Sequence, residues 1–211
     1  MPARPAFKAR QRRLQGKIQL KPTEVEASEG WEIVGPHSIS AQNSFFGVGF
    51  AVREKGAQEQ RGRIQLTFNK VEPEGARMQG PHSREAMKLG LKEGELYAKI
   101  NRFYPHGVST DAAAKEAGHQ GHGVAAHVFR RTLNLARRFG AKAVFLNTQS
   151  PRLQEIAVRA GMKPQRETRL SYLGMRVKPR KNAREWRASR GYEEPLVRTG
   201  MVEPRRGKAK A

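Results

Sequence analysis

Gln120-Gly121-His122-Gly123-Val124-Ala125 sets two glycines directly before an apolar series, Val124, Val128, Phe129, Thr132, Leu135, Ala136 and Phe139. Those positions recur in steps of three and four, the period of an amphipathic helix, which Gly140 can end. Where a helix begins, the first amide N–H groups have no intrahelical partner, and the aligned peptide dipoles leave partial positive charge. Gly121 and Gly123 place no side chain between backbone and an incoming anion. Glycine also accepts the positive φ that aims several N–H groups at one point. The stretch predicts an anion-binding turn opening a helix over 124–139, with Gln120 as an added side-chain donor.

On the C-terminal side, Ala143-Val144-Phe145-Leu146 is a short continuous apolar run of the kind found in buried strands. Ser150 then offers an N-cap with Pro151 at the first helical position, and the helix runs through Arg159 to a stop at Gly161. A last strand is expected around Leu170, Tyr172, Met175 and Val177, with a bulge or weak end at Gly174. On the N-terminal side, Leu96, Ala98, Ile100 and Phe103 mark a strand over 95–104 that Pro105 ends, and 106–118 reads as a loop with a helical turn at 111–116.

Earlier still, Ile18 and Leu20 alternate, Trp31 to Val34 is strand-like, and runs over 45–53 and 63–71 form an antiparallel hairpin across the polar link 56–61. In Ile64-Gln65-Leu66-Thr67-Phe68 the apolar residues take alternate places, so one face is buried and the other wet. Pro73, Gly75, Gly80 and Pro81 break the pattern, after which Ser83 is expected to cap a short helix over 84–91. The fold class is α/β (α+β): a mixed, mostly antiparallel central sheet flanked by helices, in one domain over 16–177.

The charge is lopsided, with 41 Lys and Arg against 19 Asp and Glu and a formal net charge of +22. Such an excess favours a polyanionic partner, because each phosphate neutralised releases counterions. Nucleic acid is the expected partner. Residues 1–15 form a basic arm with Arg4, Lys8, Arg10, Arg12 and Arg13 and no acid. Residues 178–211 form a second basic tail, in which Arg180, Lys181, Arg184 and Arg187 can contact phosphates while Trp186 stacks on bases. No apolar run is long enough to span a membrane and no apolar signal core stands at the N-terminus, so a cytoplasmic protein without membrane contact is expected. With no cysteine, disulfides, thiolate zinc sites and a cysteine nucleophile are excluded. His119, His122 and His127 lack metal-ligand spacing, and no metal is expected. Oligomeric state is not legible.

Gln120-x-x-Gly123-x-Ala125 resembles the Arg/Gln-x-x-Gly-x-Gly/Ala signature of the GCN5-related N-acetyltransferase family. In that family the signature lies between a central strand and a helix, followed by a further strand and a helix ending in Gly-Phe. Here the order is strand, helix, strand, helix and Gly161-Met162, so the resemblance covers roughly residues 94–177. It implies an acyl-CoA N-acyltransferase-like fold and acetyl-CoA, or another acyl-CoA, as cofactor. The diphosphate would lie on Gln120, Gly121, His122, Gly123, Val124 and Ala125, and Asn147 joins the cofactor-binding set. A backbone N–H near the end of the central strand, at Arg102, Phe103 or Tyr104, would polarise the thioester carbonyl. Tyr104, His106 and Ser150 are the candidates for proton transfer.

The chain departs from the family in three places. Ala157 stands where members carry a thiolate-protonating Tyr, Ser150 where many have Asn, and no helices are visible between the first two strands. The implied activity is N-acyl transfer to an amine on nucleic acid or a nucleic-acid-associated acceptor, such as a nucleobase, an aminoacyl-tRNA or a basic protein. The alternative is a non-catalytic nucleic-acid-binding or ribonucleoprotein component that keeps the fold. A dinucleotide fingerprint, Gly121-x-Gly123-x-x-Ala126, is set aside because no strand directly precedes it and no acid follows about 20 residues on.

Overall fold

The computed structural model describes residues 29–42, 45–73, 82–105, 123–166, 169–183 and 185. Its strands are β1 (Trp31–Gln42), β2 (Phe45–Glu54), β3 (Gly62–Lys70), β4 (Leu96–Tyr104), β5 (Ala143–Asn147), β6 (Lys163–Arg166) and β7 (Arg169–Arg176). The helices are α1 (Ser83–Lys88), α2 (Val124–Arg138) and α3 (Pro151–Arg159). The strands form one sheet in the order β1-β2-β3-β4-β5-β7-β6. Only β4 and β5 are parallel; every other neighbouring pair is antiparallel. The expected mixed, mostly antiparallel sheet with flanking helices is therefore present.

Alternation decides which side chains meet the helices. Phe46, Val48, Phe50 and Val52 of β2 join Ile64, Leu66 and Phe68 of β3 in one cluster with Val128 and Phe129 of α2 and Ile156 and Val158 of α3. Phe139, immediately after α2, is fully buried among them: it stacks on Phe68 at 4.7 Å between centroids and meets Phe50 edge-on at 6.4 Å. Gly140 follows with φ 91°, ending the helix as expected. At the start of α3 the Ser150 Oγ accepts the Leu153 N–H at 3.1 Å with Pro151 next in line, and Gly161 stops the helix at φ 97°.

The opposite face holds a smaller cluster in which α1 lies over β4, β5 and β7. Val71, Ala86, Tyr97, Phe145 and Tyr172 pack there. His82 stacks on both Phe145 (5.6 Å) and Tyr172 (5.2 Å).

Four expectations need correction. β1 does not end at Val34; it passes Gly35 and Pro36 through an irregular register and continues to Gln42. An edge strand tolerates this, since proline's missing N–H falls on the unpaired side. For the same reason the unexpected β6, with Pro164, sits at the other edge. Ser83 is not the cap of α1 but its first residue, and its Oγ accepts the Glu72 N–H at 3.2 Å. Gly174 makes no bulge against β5, where the register is continuous. It is a close-approach site: a Cβ there would stand 2.8 Å from the Phe145 ring. The expected strand at Ile18 and Leu20, the loop over 106–118 with its turn at 111–116, and the arm over 1–15 lie outside the described residues.

The contact at Gly174 gives a stability test. Gly174→Ala is expected to cost about 1–3 kcal/mol, the usual range for an overpacked core. Phe145→Leu in that background should recover part of the loss, read as a double variant less destabilised than the sum of its parents in denaturant titration.

Candidate functional site

The candidate crevice is the place at the carboxyl ends of the parallel pair where their ladder stops. β4 and β5 are matched from Tyr97 and Ala143 up to Ile100 and Leu146, and no further. β5 ends at Asn147, whereas β4 continues to Tyr104, held only by β3. The register against β3 shifts at this point: Leu66 faces Ile100 but Gln65 faces Arg102, so Asn101 is an extra residue. Its side-chain amide donates to the Thr67 hydroxyl across the β3 side. A bulge of this kind re-aims a strand, and here it falls where the ladder between β4 and β5 stops. On the β3 side Gly62 is required, since the carbonyls of Tyr104 and Pro105 lie where any Cβ would stand.

Two helices begin around this opening. α2 starts at Gly123, which takes the left-handed conformation at φ 68° and ψ −3°. No side chain caps it and its first turn holds no acid, so the partial positive charge of that end is not offset within the helix. The first intrahelical bond runs from the His127 N–H to the Gly123 carbonyl at 3.0 Å. α3 starts three residues beyond β5, where the Thr148 carbonyl accepts from the Gln154 amide at 3.0 Å and the Thr148 Oγ1 accepts from the Ser150 N–H at 3.2 Å. This arrangement is the place where open α/β sheets accept ligands, at the carboxyl ends of neighbouring strands with helix N-termini aimed inward.

The expected cofactor residues that are described fall around the crevice. Arg102 is exposed on the part of β4 beyond the parallel ladder, and Phe103 meets Phe129 of α2 edge-on at 5.5 Å. Tyr104 is half-buried and pairs with Arg63. Gly123 and Ala125 are half-buried, Val124 is buried in the core, and Asn147 is exposed at the tip of β5. Gln120, Gly121, His122 and the candidate acid or base His106 lie outside the described residues. The Ser150 hydroxyl serves as the α3 cap. Ala157 is fully buried in the core, so its position faces the sheet and not the opening. Of the expected nucleic-acid contacts, Arg180 and Lys181 are exposed just beyond β7. Arg4, Lys8, Arg10, Arg12, Arg13, Arg184, Trp186 and Arg187 lie outside the described residues.

Two groups escaped the sequence reading. His82 and Tyr172, 90 residues apart, are joined by a hydrogen bond between the His82 Nδ1 and the Tyr172 hydroxyl, beneath Phe145. Nothing local in either segment announces that contact. Tyr97 lies beside them, and burial, reinforced by Glu72 and Glu85, pushes its phenol up to about 12. No cluster of three His, Cys, Asp or Glu side chains among the described residues is placed to hold a metal ion. No helix among them is long and apolar enough to cross a membrane. No protein-family model matches the chain, and no curated protein matches it. Fold and site together define a mixed α/β domain with one parallel strand pair and an uncapped, glycine-led helix in the connection between its strands.

His127 lies one turn into α2 with its Nε2 buried and unpartnered. Burial pushes its imidazole below the usual range, and Arg131 and Arg130 push it the same way against the opposing pull of Glu29. The unfolded chain therefore takes up a proton here before the folded one does, so stability falls as pH drops through the ordinary value near 6.5. His127→Phe is expected to lose less thermal stability than the parent between about pH 7.5 and about pH 5.5. Parallel melting curves for the two proteins across that range check it.

Proposed function

We propose that this chain is an acyl-CoA-dependent N-acyltransferase of the GCN5-related kind, transferring an acyl group, most simply acetyl, to an amine carried by nucleic acid or a nucleic-acid-associated acceptor. The observation that carries the reading is the left-handed, uncapped Gly123 at the start of α2, in the connection that joins the parallel strands β4 and β5. The order β4, α2, β5, α3, Gly161-Met162 supports it, with Met162 fully buried against the core.

A diphosphate fits what α2 presents: amides without a capping side chain, no first-turn acid, and no Cβ at Gly123. Bound acyl-CoA would supply a thioester; transfer forms the carbon–nitrogen bond, breaks the carbon–sulfur bond, and delivers the amine's proton to the departing sulfur. The exposed backbone of β4 over 101–104 offers N–H groups to the thioester oxygen. Buried Ala157 cannot deliver the proton, which leaves that task to Tyr104, to His106 or to water. Much of the acceleration would come from holding amine and thioester together.

A second reading is favoured by two observations. Ala157 has no exposure, and β1 passes to β2 across residues 43–44 alone, without the two helices usual in the family. On this reading the fold is kept for nucleic-acid binding without turnover.

Calorimetry with acetyl-CoA separates them. On the enzyme reading the parent binds, and Gly123→Trp abolishes binding while Gly123→Asn, which tolerates the left-handed conformation, keeps the fold and weakens binding about tenfold. Absence of any acetyl-CoA binding by a folded parent would sink the enzyme reading.

A further inference from the structure

α2 contains no acidic residue, and its sequence places Arg130, Arg131, Arg137 and Arg138 along 15 residues. Helix stability does not call for this. Arg137 and Arg138 complement the C-terminal end of the dipole, whereas Arg131 has His127 and Leu135, not an acid, four residues away. α3 shows the contrasting economy, since Glu155 lies 2.6 Å from Arg159 and 3.7 Å from Arg152 along the same helix.

The arginines of α2 border a groove of about 720 Å³ between α2, the end of α3 and the end of β7. Arg130, Arg137, Arg159, Arg176 and Lys178 line it, with no acid among the described lining residues, although Arg159 also pairs with Glu155. Its apolar lining comes from Leu133, Ala160, Met175 and Val177, all partly buried. The walls are tied together: the Arg137 Nε donates to the Lys178 carbonyl at 2.8 Å, and the Arg180 N–H donates to the Arg137 carbonyl at 3.0 Å. The segment leaving β7 is thus held against the helix, and the groove cations come from α2, α3 and the end of β7.

We infer that this groove docks the phosphodiester backbone of a nucleic acid. Charge complementarity selects a polyanion, and four of the five cations are arginines, whose planar forks match phosphate oxygens. An extended acidic peptide is a poorer match, because a main-chain ladder needs a strand edge and β7 leaves only Met175 and Arg176 unpaired beyond its ladder with β6. A sugar-phosphate backbone needs none. The described lining residues are cations, aliphatic side chains and Asn134, a set that contacts phosphates and not base edges. The groove lies toward the end of α2 away from Gly123, with its α2 residues Arg130 to Arg137 roughly 10 to 20 Å distant by the helical rise. The inference rests on the nucleic-acid part of the reading above and not on acyl transfer.

The test uses the full chain and a labelled oligonucleotide of mixed sequence, titrated by fluorescence anisotropy over a range of salt. Arg130→Gln, Arg159→Gln and Lys178→Gln together remove three groove charges and leave the structural Arg137 in place. Lys55→Gln, Arg84→Gln and Lys88→Gln remove the same charge from exposed sites elsewhere. With melting curves confirming that both fold, the groove variant is expected to bind at least about tenfold more weakly. Its slope of log K against log salt should be shallower by about 2, at roughly 0.7 to 0.9 per lost phosphate contact, while the control stays near the parent. Equal losses in the two variants would reduce the effect to net charge and overturn the groove. Unchanged binding by the groove variant would overturn it while sparing nucleic-acid binding elsewhere on the chain. A parent that binds no oligonucleotide would end both. Displacement of the oligonucleotide by poly-glutamate at equal charge concentration would reassign the groove to acidic protein. Acetyl-CoA calorimetry on the groove variant should match the parent, which keeps this outcome separate from that of the crevice.

Discussion

Two parallel neighbours in a sheet cannot be joined by a tight turn, and this constraint at β4 and β5 organises the rest of the molecule. The connection has to leave the carboxyl end of β4, cross a face of the sheet and re-enter at the amino end of β5. α2 is the part of that crossing that lies on the sheet, and its direction follows: N-terminus at the carboxyl ends of the strands, C-terminus at their amino ends. Phe139 then anchors the finish of the crossing among Phe46, Phe50 and Phe68, and the Lys142 N–H meets the Leu96 carbonyl at 2.7 Å as β5 begins. The ion pair between Lys142 and Glu95 closes the same end. With the amino ends of the pair fastened, the ladder stops toward the carboxyl ends, where Asn101 is the extra residue.

The two faces of the sheet are chemically unlike. The face under α2 and α3 is aliphatic and phenylalanine-rich, packed without a polar side chain from β2. The other carries Thr67, Asn69, Tyr97, Asn101, His82 and Tyr172, several of them buried and hydrogen-bonded, and among the described residues only α1 lies over part of it. Burying such groups costs stability unless each finds a partner. Their concentration on one face makes the two sides of the sheet chemically distinct. A ligand reaching through the crevice from α2 would meet that face beyond Asn101 and Asn147.

How much of this the sequence discloses depends on where each residue sits. Interior elements are legible because neighbours on both sides enforce a period: β2, β3, β4, β5, α2 and α3 begin and end within about two residues of their expected places. Edge strands are not, because an unpaired side permits the proline that reads as a break, as at Pro36 and Pro164. Gly174 was legible as exceptional but not in kind, since the aromatic ring that requires glycine comes from β5, 29 positions away in the chain. Of the candidate site, the left-handed glycine and the helix it opens could be read from local composition. The bulge could not, because Asn101 carries no mark of one and the effect appears only against β3. The link between His82 and Tyr172 is likewise a product of sheet order.

α2 also shows why the positive charge of this chain need not be a uniform coat. One end of the helix is positive because its amides are unanswered by cap or acid. The other would be negative by the same dipole, but Arg137, Arg138 and the neighbouring Arg159 reverse it. Those cations are favourable where they meet the C-terminal end of the dipole, and Phe129 and Phe139 on the buried side hold the helix against the sheet. The two ends differ in kind. Backbone amides converging on Gly123 suit one small, closely held diphosphate, whereas long arginine side chains from three elements suit a repeating anion that slides along them. The same helix can thus serve a compact ligand at its start and an extended one at its end. The hydrophobic core between them keeps those two tasks at a fixed separation.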